Sequence, residues 1–362
     1  MYAKYFIFVT AMSLPNQNGF AQWSASEHMQ QISTLEMHTG GEPLRIITAG
    51  FPNLTGDTIL AKRQDCLTNY DDLRKGLMFE PRGHADMYGA IIVEPERADS
   101  DLGVLFIHNE GYSTMCGHAI IALSKAAIEA GVVPKQEGKN EIRFDVPCGQ
   151  ICSEVTVEQG EVTDIRFNNV PSFLALKEQS VFVEGIGDVS FDLGYGGAFY
   201  AYVDADSIDL SLSADNANQI IDWGKRIKHA VIANTDIKHP FEQDLSFLYG
   251  TIFVSKTQVE HANSHSRNVC IFAEGELDRS PTGSGVAGRA AIHFAKGELA
   301  KDEVITIESI LGSQFSVKVM ESLTYGEYQA VIPQVSGSAH IVGKNTYYFN
   351  KRDPLNTGFI FR

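Results

Sequence analysis

Two stretches of the chain are apolar on every side at helical spacing. In the first, Ala119, Ile120, Ile121, Ala122, Leu123, Ala126, Ala127, Ile128 and Ala130 leave almost no polar face before Gly131. The second holds Val286, Ala287, Ala290, Ala291, Ile292, Phe294 and Ala295 and stops at Gly297. A helix apolar all round is a core helix, and a glycine just past its end supplies a left-handed stop. Gly131 follows Cys116 at the same spacing at which Gly297 follows Thr282, which predicts two equivalent buried helices with Cys116 and Thr282 at their starts.

Around these helices the period falls to two. Ile32 to Glu36 and Leu44 to Ile47 alternate on either side of the turn His38-Thr39-Gly40-Gly41-Glu42-Pro43. Ile142/Phe144/Val146, Val155/Val157 and Ile165/Phe167 predict a hairpin or meander over 141–170. Val181–Val183, Val189–Phe191, 247–254 and 268–273 read as further strands, and Ala90–Val93 and Val104–Ile107 as buried ones. Helical spacing recurs over Asp57–Leu77 and Ser211–Ala233. Each half thus alternates short strands around one long apolar helix, an α+β arrangement and not a doubly wound one. The expected division is an appendage at 1–31, a first domain at 32–183, a second at 184–344, and a segment at 345–362 returning to the first. A cleft between two such domains is a common place for a small ligand.

Composition narrows the function. The formal charge of −16 argues against a nucleic-acid partner. Five cysteines at 66, 116, 148, 152 and 270, odd in number and unevenly spaced, make no disulfide framework and fit a reducing, cytoplasmic setting. Lys4 followed by the apolar run to Leu14 has the look of a short secretory signal, so secretion by that route is the alternative. No stretch reaches the length of a membrane span.

Cys116 lies where a buried helix presents unpaired N–H groups and its positive dipole end, which favours thiolate and a bound anion. The N–H groups of Gly117 and His118, with those of Gly283 and Ser284, can converge on one substrate carboxylate. Asp278, one turn ahead of the second helix, can hold a substrate ammonium. Together they describe a receptor for an amino or imino acid, with Cys116 placed to remove the proton beside the carboxylate. Bland readings stand beside each: a buried cysteine is often a small hydrophobe, His118 a satisfied core histidine, and Asp278 a helix cap. Tyr88 and Phe272 are candidates for pocket lining or for core. His38, His84 and Asp86 read as turn-stabilising groups in preference to metal ligands. Gly283-Ser-Gly285-Val-Ala-Gly288 matches a dinucleotide fingerprint but follows Asp-Arg-Ser-Pro instead of an apolar strand, and is rejected as one.

Four motifs carry a resemblance. Met115-Cys116-Gly117-His118, Asp278-Arg-Ser-Pro-Thr-Gly-Ser-Gly285, His38–Pro43 and Arg82-Gly83-His84-Ala85-Asp86-Met87-Tyr88-Gly89 resemble the proline racemase family, over about 32–362. The resemblance implies the diaminopimelate-epimerase-like fold, two pseudo-symmetric α+β domains with the site between them. It also implies a homodimer, no cofactor and no metal. By it Cys116 is the proton acceptor, Gly117, His118, Gly283 and Ser284 bind around the carboxylate, and Asp278 binds the ring nitrogen. Racemases and 4-hydroxyproline epimerases of this family carry a second cysteine where this chain has Thr282. Cysteine plus threonine is similar to the pattern of the family's trans-3-hydroxy-L-proline dehydratases, as is Leu248-Tyr249-Gly250-Thr251. The expected reaction is therefore loss of water to give Δ1-pyrroline-2-carboxylate. The alternatives are a proline racemase or 4-hydroxyproline epimerase, and a non-catalytic imino-acid binding protein.

Overall fold

The computed structural model describes residues 19–20 and 22–361. The signal-like stretch at 4–14 lies outside the described residues. The first strand starts at Gln30 and runs to Thr39, flanked antiparallel by Glu42–Ala49 and by Ala339–Phe349. Glu42–Ala49 pairs parallel with Tyr88–Val93, which pairs antiparallel with Leu102–His108. The expected meander is present as Gly138–Val146, Gly149–Glu158 and Glu161–Asn168.

Ser172–Val183, which the sequence placed in the first half, hydrogen-bonds to Gly187–Tyr195. Its entry escapes a period-two reading because Leu174 to Leu176 sit half-buried and Lys177 to Ser180 are exposed, with no alternation in either run. Phe199–Asp204 follows, parallel to Leu248–Ser255, which in turn pairs with Ser266–Phe272. Tyr328–Gly337 joins the two sets of strands, pairing with Glu161–Asn168 on one side and Gln314–Tyr325 on the other. Among the described residues all the strands form one connected, strongly curved array with few helices.

Two helices fill the interior, Gly117–Glu129 and Gly283–Ala295. Every residue of the first from Gly117 to Ser124 is buried, as is every residue of the second from Gly283 to His293. They end in the same way. Gly131 has φ 70° and Gly297 φ 72°, and the N–H of Val132 reaches the Ala127 carbonyl as that of Glu298 reaches His293. Elsewhere the helical spacing over Asp57–Leu77 resolves into two helices, Ile59–Asn69 and Asp71–Met78, broken at Tyr70 (φ −134°). Helix Ala217–Asn234 packs on the strands Leu248–Ser255 and Ser266–Phe272. No helix among the described residues is long and apolar enough to cross a membrane.

Candidate active site

The two buried helices meet N-terminus to N-terminus. A β-carbon built on Gly117 would lie 2.5 Å from the Gly283 Cα, and one built on Gly283 would lie 2.6 Å from the Gly117 Cα. Only glycine at both positions lets two helix ends, with their unpaired N–H groups, approach so closely. Gly285 and Gly288 serve packing instead: their β-carbons would strike the Ile252 side chain at 2.4 Å and the Tyr202 hydroxyl at 2.1 Å.

Beside this junction is a small, narrow cavity. All nine residues singled out from the sequence line it: Tyr88, Cys116, Gly117, His118, Phe272, Asp278, Thr282, Gly283 and Ser284. Met115, Tyr200 and Tyr249 line it as well. Tyr200 gave no signal, because its strand Phe199–Asp204 is buried nearly throughout and no face stands out.

On the first helix Cys116 is the N-cap residue, with extended backbone and 5% exposure. Its sulfur lies 3.1 Å from His118 Nδ1, and the nearby Pro43 backbone favours the protonated form of the His118 ring. The Thr39 hydroxyl donates to the His118 carbonyl at 2.9 Å. The Ala119 N–H and the Tyr88 hydroxyl both favour the thiolate, as the helix-end argument requires. Burial is the larger effect, however, and pushes the Cys116 thiol well above its ordinary range. Burial also lowers His118, so thiol and imidazole are both neutral.

The second helix starts differently. Thr282 has φ 67° and ψ 94°, a left-handed backbone that β-branched residues rarely adopt and that costs about 1–3 kcal/mol. Its hydroxyl donates to Asp278 Oδ2 at 2.7 Å, and the other Asp278 oxygen accepts the Ser280 N–H at 2.7 Å. Ser284 Oγ shares a 2.8 Å hydrogen bond with the Tyr200 hydroxyl.

Links between early and late parts of the chain hold these helix ends in place. Arg279 pairs with Asp86 at 2.8 Å, and the Thr114 hydroxyl donates to the Gly197 carbonyl at 2.8 Å. Glu42, fully buried, accepts the Arg279 N–H at 2.7 Å, while its Oε1 has no partner among the described residues. Burial, then the nearby Asp278, raises Glu42 well above the carboxylate range, so it carries a proton. His38 stabilises its turn, as anticipated, by accepting the Gly41 N–H. Asp86 does more than that, since it reaches across to Arg279 and to the Leu277 N–H.

Residues 34–360 match the family described as proline racemase. The chain belongs to that family. It is 54% identical over 346 residues to a trans-3-hydroxy-L-proline dehydratase of Colwellia psychrerythraea, covering 95% of this chain and 97% of that protein. It is 43% identical over 333 residues to a 3-hydroxyproline 2-epimerase of Burkholderia multivorans, covering 92% of this chain and 99% of that one. A crystal structure of a hydroxyproline epimerase from Agrobacterium vitis with bound trans-4-hydroxy-L-proline superimposes with a TM-score of 0.85 at 25% identity, over 92% of this chain and 96% of that one.

Proposed function

We propose that this member of the family is a hydro-lyase that dehydrates trans-3-hydroxy-L-proline to Δ1-pyrroline-2-carboxylate. The relatives' names favour this substrate class, and the chemistry of the cavity favours elimination over inversion. The single observation that carries it is the asymmetry of the two helix starts. Cys116 offers a thiol with an imidazole 3.1 Å away, whereas Thr282 offers a hydroxyl already donated to Asp278. Inversion needs a base on each face of the α-carbon, and a threonine hydroxyl is a poor one.

The roles follow from this geometry. The N–H groups of Gly117, His118, Gly283 and Ser284 hold the carboxylate at the junction of the two helix ends. Asp278 holds the ring ammonium with the lone pairs that Ser280 and Thr282 leave free. His118 Nδ1 takes the thiol proton, and the thiolate removes the α-proton. In trans-3-hydroxy-L-proline the hydroxyl lies opposite the carboxylate, hence on the face of the α-hydrogen. One face therefore supplies all the chemistry, and the enamine formed tautomerises to the imine. The two pseudo-symmetric halves keep the same helix-end frame but only one of them carries a base.

Purified protein given the trans and cis isomers of 3-hydroxy-L-proline tests this. Release of Δ1-pyrroline-2-carboxylate is expected from the trans isomer alone, because the cis hydroxyl lies on the face opposite the α-hydrogen. Equal elimination from both isomers, or inversion of either without loss of water, contradicts the reading.

A further inference from the structure

The elimination needs two proton movements on one face of the ring, and the roles above account for one. Cys116 removes the α-proton, but the 3-hydroxyl leaves readily only if it too receives a proton. His118 is already engaged with the sulfur at Nδ1. One further hydroxyl belongs to a residue on the same part of the cavity wall. Tyr88 lines the cavity with Cys116, and its hydroxyl is among the groups that favour the Cys116 thiolate. The hydroxyl of Tyr249, which lines the same wall, has no well-formed partner among the described residues.

The Tyr88 ring is held on several sides. The His118 ring meets it edge-on at 4.9 Å, Phe272 at 6.1 Å, and His108 stacks on it at 5.8 Å with the planes 24° apart. His108 Nδ1 accepts the Glu110 N–H, and the fully buried Glu276, opposite Phe272 in its strand pair, lies 2.9 Å from it. A tyrosine wedged this way keeps its ring fixed beside His118 on the wall it shares with Cys116.

We infer that Tyr88 is the general acid of the reaction, donating its phenolic proton to the departing 3-hydroxyl; the inference rests on the dehydratase reading. The proton of the Cα–H bond first passes to the Cys116 thiolate and leaves its electron pair on the α-carbon beside the carboxylate, and that pair then forms the new carbon–carbon double bond. The pair of the C3–O bond leaves with oxygen, which takes the Tyr88 proton and departs as water. The phenolate then recovers a proton from the neighbouring new thiol, which leaves phenol and thiolate as they were before the step, and His118 returns its proton to the sulfur. Burial raises the Tyr88 hydroxyl well above its ordinary range, which keeps it protonated between turnovers and makes its phenolate quick to reclaim that proton.

The test is Tyr88→Phe, which removes one oxygen, assayed by NMR in deuterated buffer with two substrates. With trans-3-hydroxy-L-proline, water loss should fall by about 10²–10⁴-fold, the range a general acid supplies, while deuterium still enters the α-position of unreacted substrate. With trans-3-fluoro-L-proline, whose fluoride leaves without a proton, the variant should stay within about fivefold of wild type, because the acid step is bypassed. Water loss within tenfold of wild type would overturn the inference. So would an equal collapse of exchange and fluoride release, which marks Tyr88 as a support for Cys116 or for the fold. Wild-type protein that inverts the hydroxy substrate without releasing water would remove the reading beneath, and the inference with it.

Discussion

Replacing Gly117 by alanine probes the junction on which the whole site depends. Its new β-carbon would lie 2.5 Å from the Gly283 Cα, 2.9 Å from the Gly283 carbonyl carbon and 3.1 Å from Phe167 Cζ. Carbon atoms pack at about 3.5–4.0 Å, so one helix start must retreat by about 1 Å or more. Two of the three obstacles are backbone atoms, so no rotamer change relieves the clash. Overpacking of this kind costs about 1–3 kcal/mol, and a misplacement of about 1 Å at the chemistry costs about 10²-fold in rate. The carboxylate receptor should suffer first, because the converging N–H groups are the ones that move apart. Steady-state assay of water loss from trans-3-hydroxy-L-proline, with thermal unfolding alongside, reads both effects. We expect kcat/KM to fall by about 10²-fold and the midpoint to drop by a few degrees. An alanine variant with native kcat/KM and native stability would refute the argument that the two helix ends jointly form the receptor.

Further outcomes follow from the same geometry. Because burial raises Cys116 and lowers His118, the pair keeps one shared proton over a wide interval, so kcat/KM should be flat from about pH 6.5 to about pH 9, between the ordinary values of the two groups; a tenfold rise per pH unit through neutrality would contradict it. Thr282→Cys should add a base on the second face and bring inversion of proline, read by polarimetry or chiral chromatography; loss of dehydration with no inversion would count against the asymmetry argument. Glu42 holds in the folded state a proton that the unfolded chain releases, so its contribution is present at low pH and is lost as pH rises. Glu42→Gln should therefore be more thermostable than wild type at pH 8, with the gap closing towards pH 4, as scanning calorimetry at the two pH values will show.

The two central helices were readable because burial on all sides leaves a mostly apolar run, and Gly131 and Gly297 punctuate it at matching distances. Cys116, Gly117, His118, Asp278, Thr282, Gly283 and Ser284 came with them, since each sits within a turn of a helix start. Tyr200 and Met115 did not, because they reach the cavity from strand and loop positions whose neighbours are also buried. Tyr249 stood in a motif without a role, and its hydroxyl, with no well-formed partner among the described residues, is visible only in three dimensions. The raised thiol of Cys116 shows a second limit. A sequence reveals the helix terminus that lowers a pKa but not the depth of burial that outweighs it. The left-handed backbone of Thr282 and the neutral Glu42 are likewise products of tertiary packing, which local pattern does not encode.

The central claim is that one thiol, on one face, drives loss of water. NMR of wild type and Cys116→Ser with trans-3-hydroxy-L-proline in deuterated buffer addresses it directly. The account predicts that wild type converts the substrate to Δ1-pyrroline-2-carboxylate, and that Cys116→Ser, still folded, neither releases product nor exchanges the α-proton. Product formation or α-exchange at the wild-type rate in Cys116→Ser would contradict it.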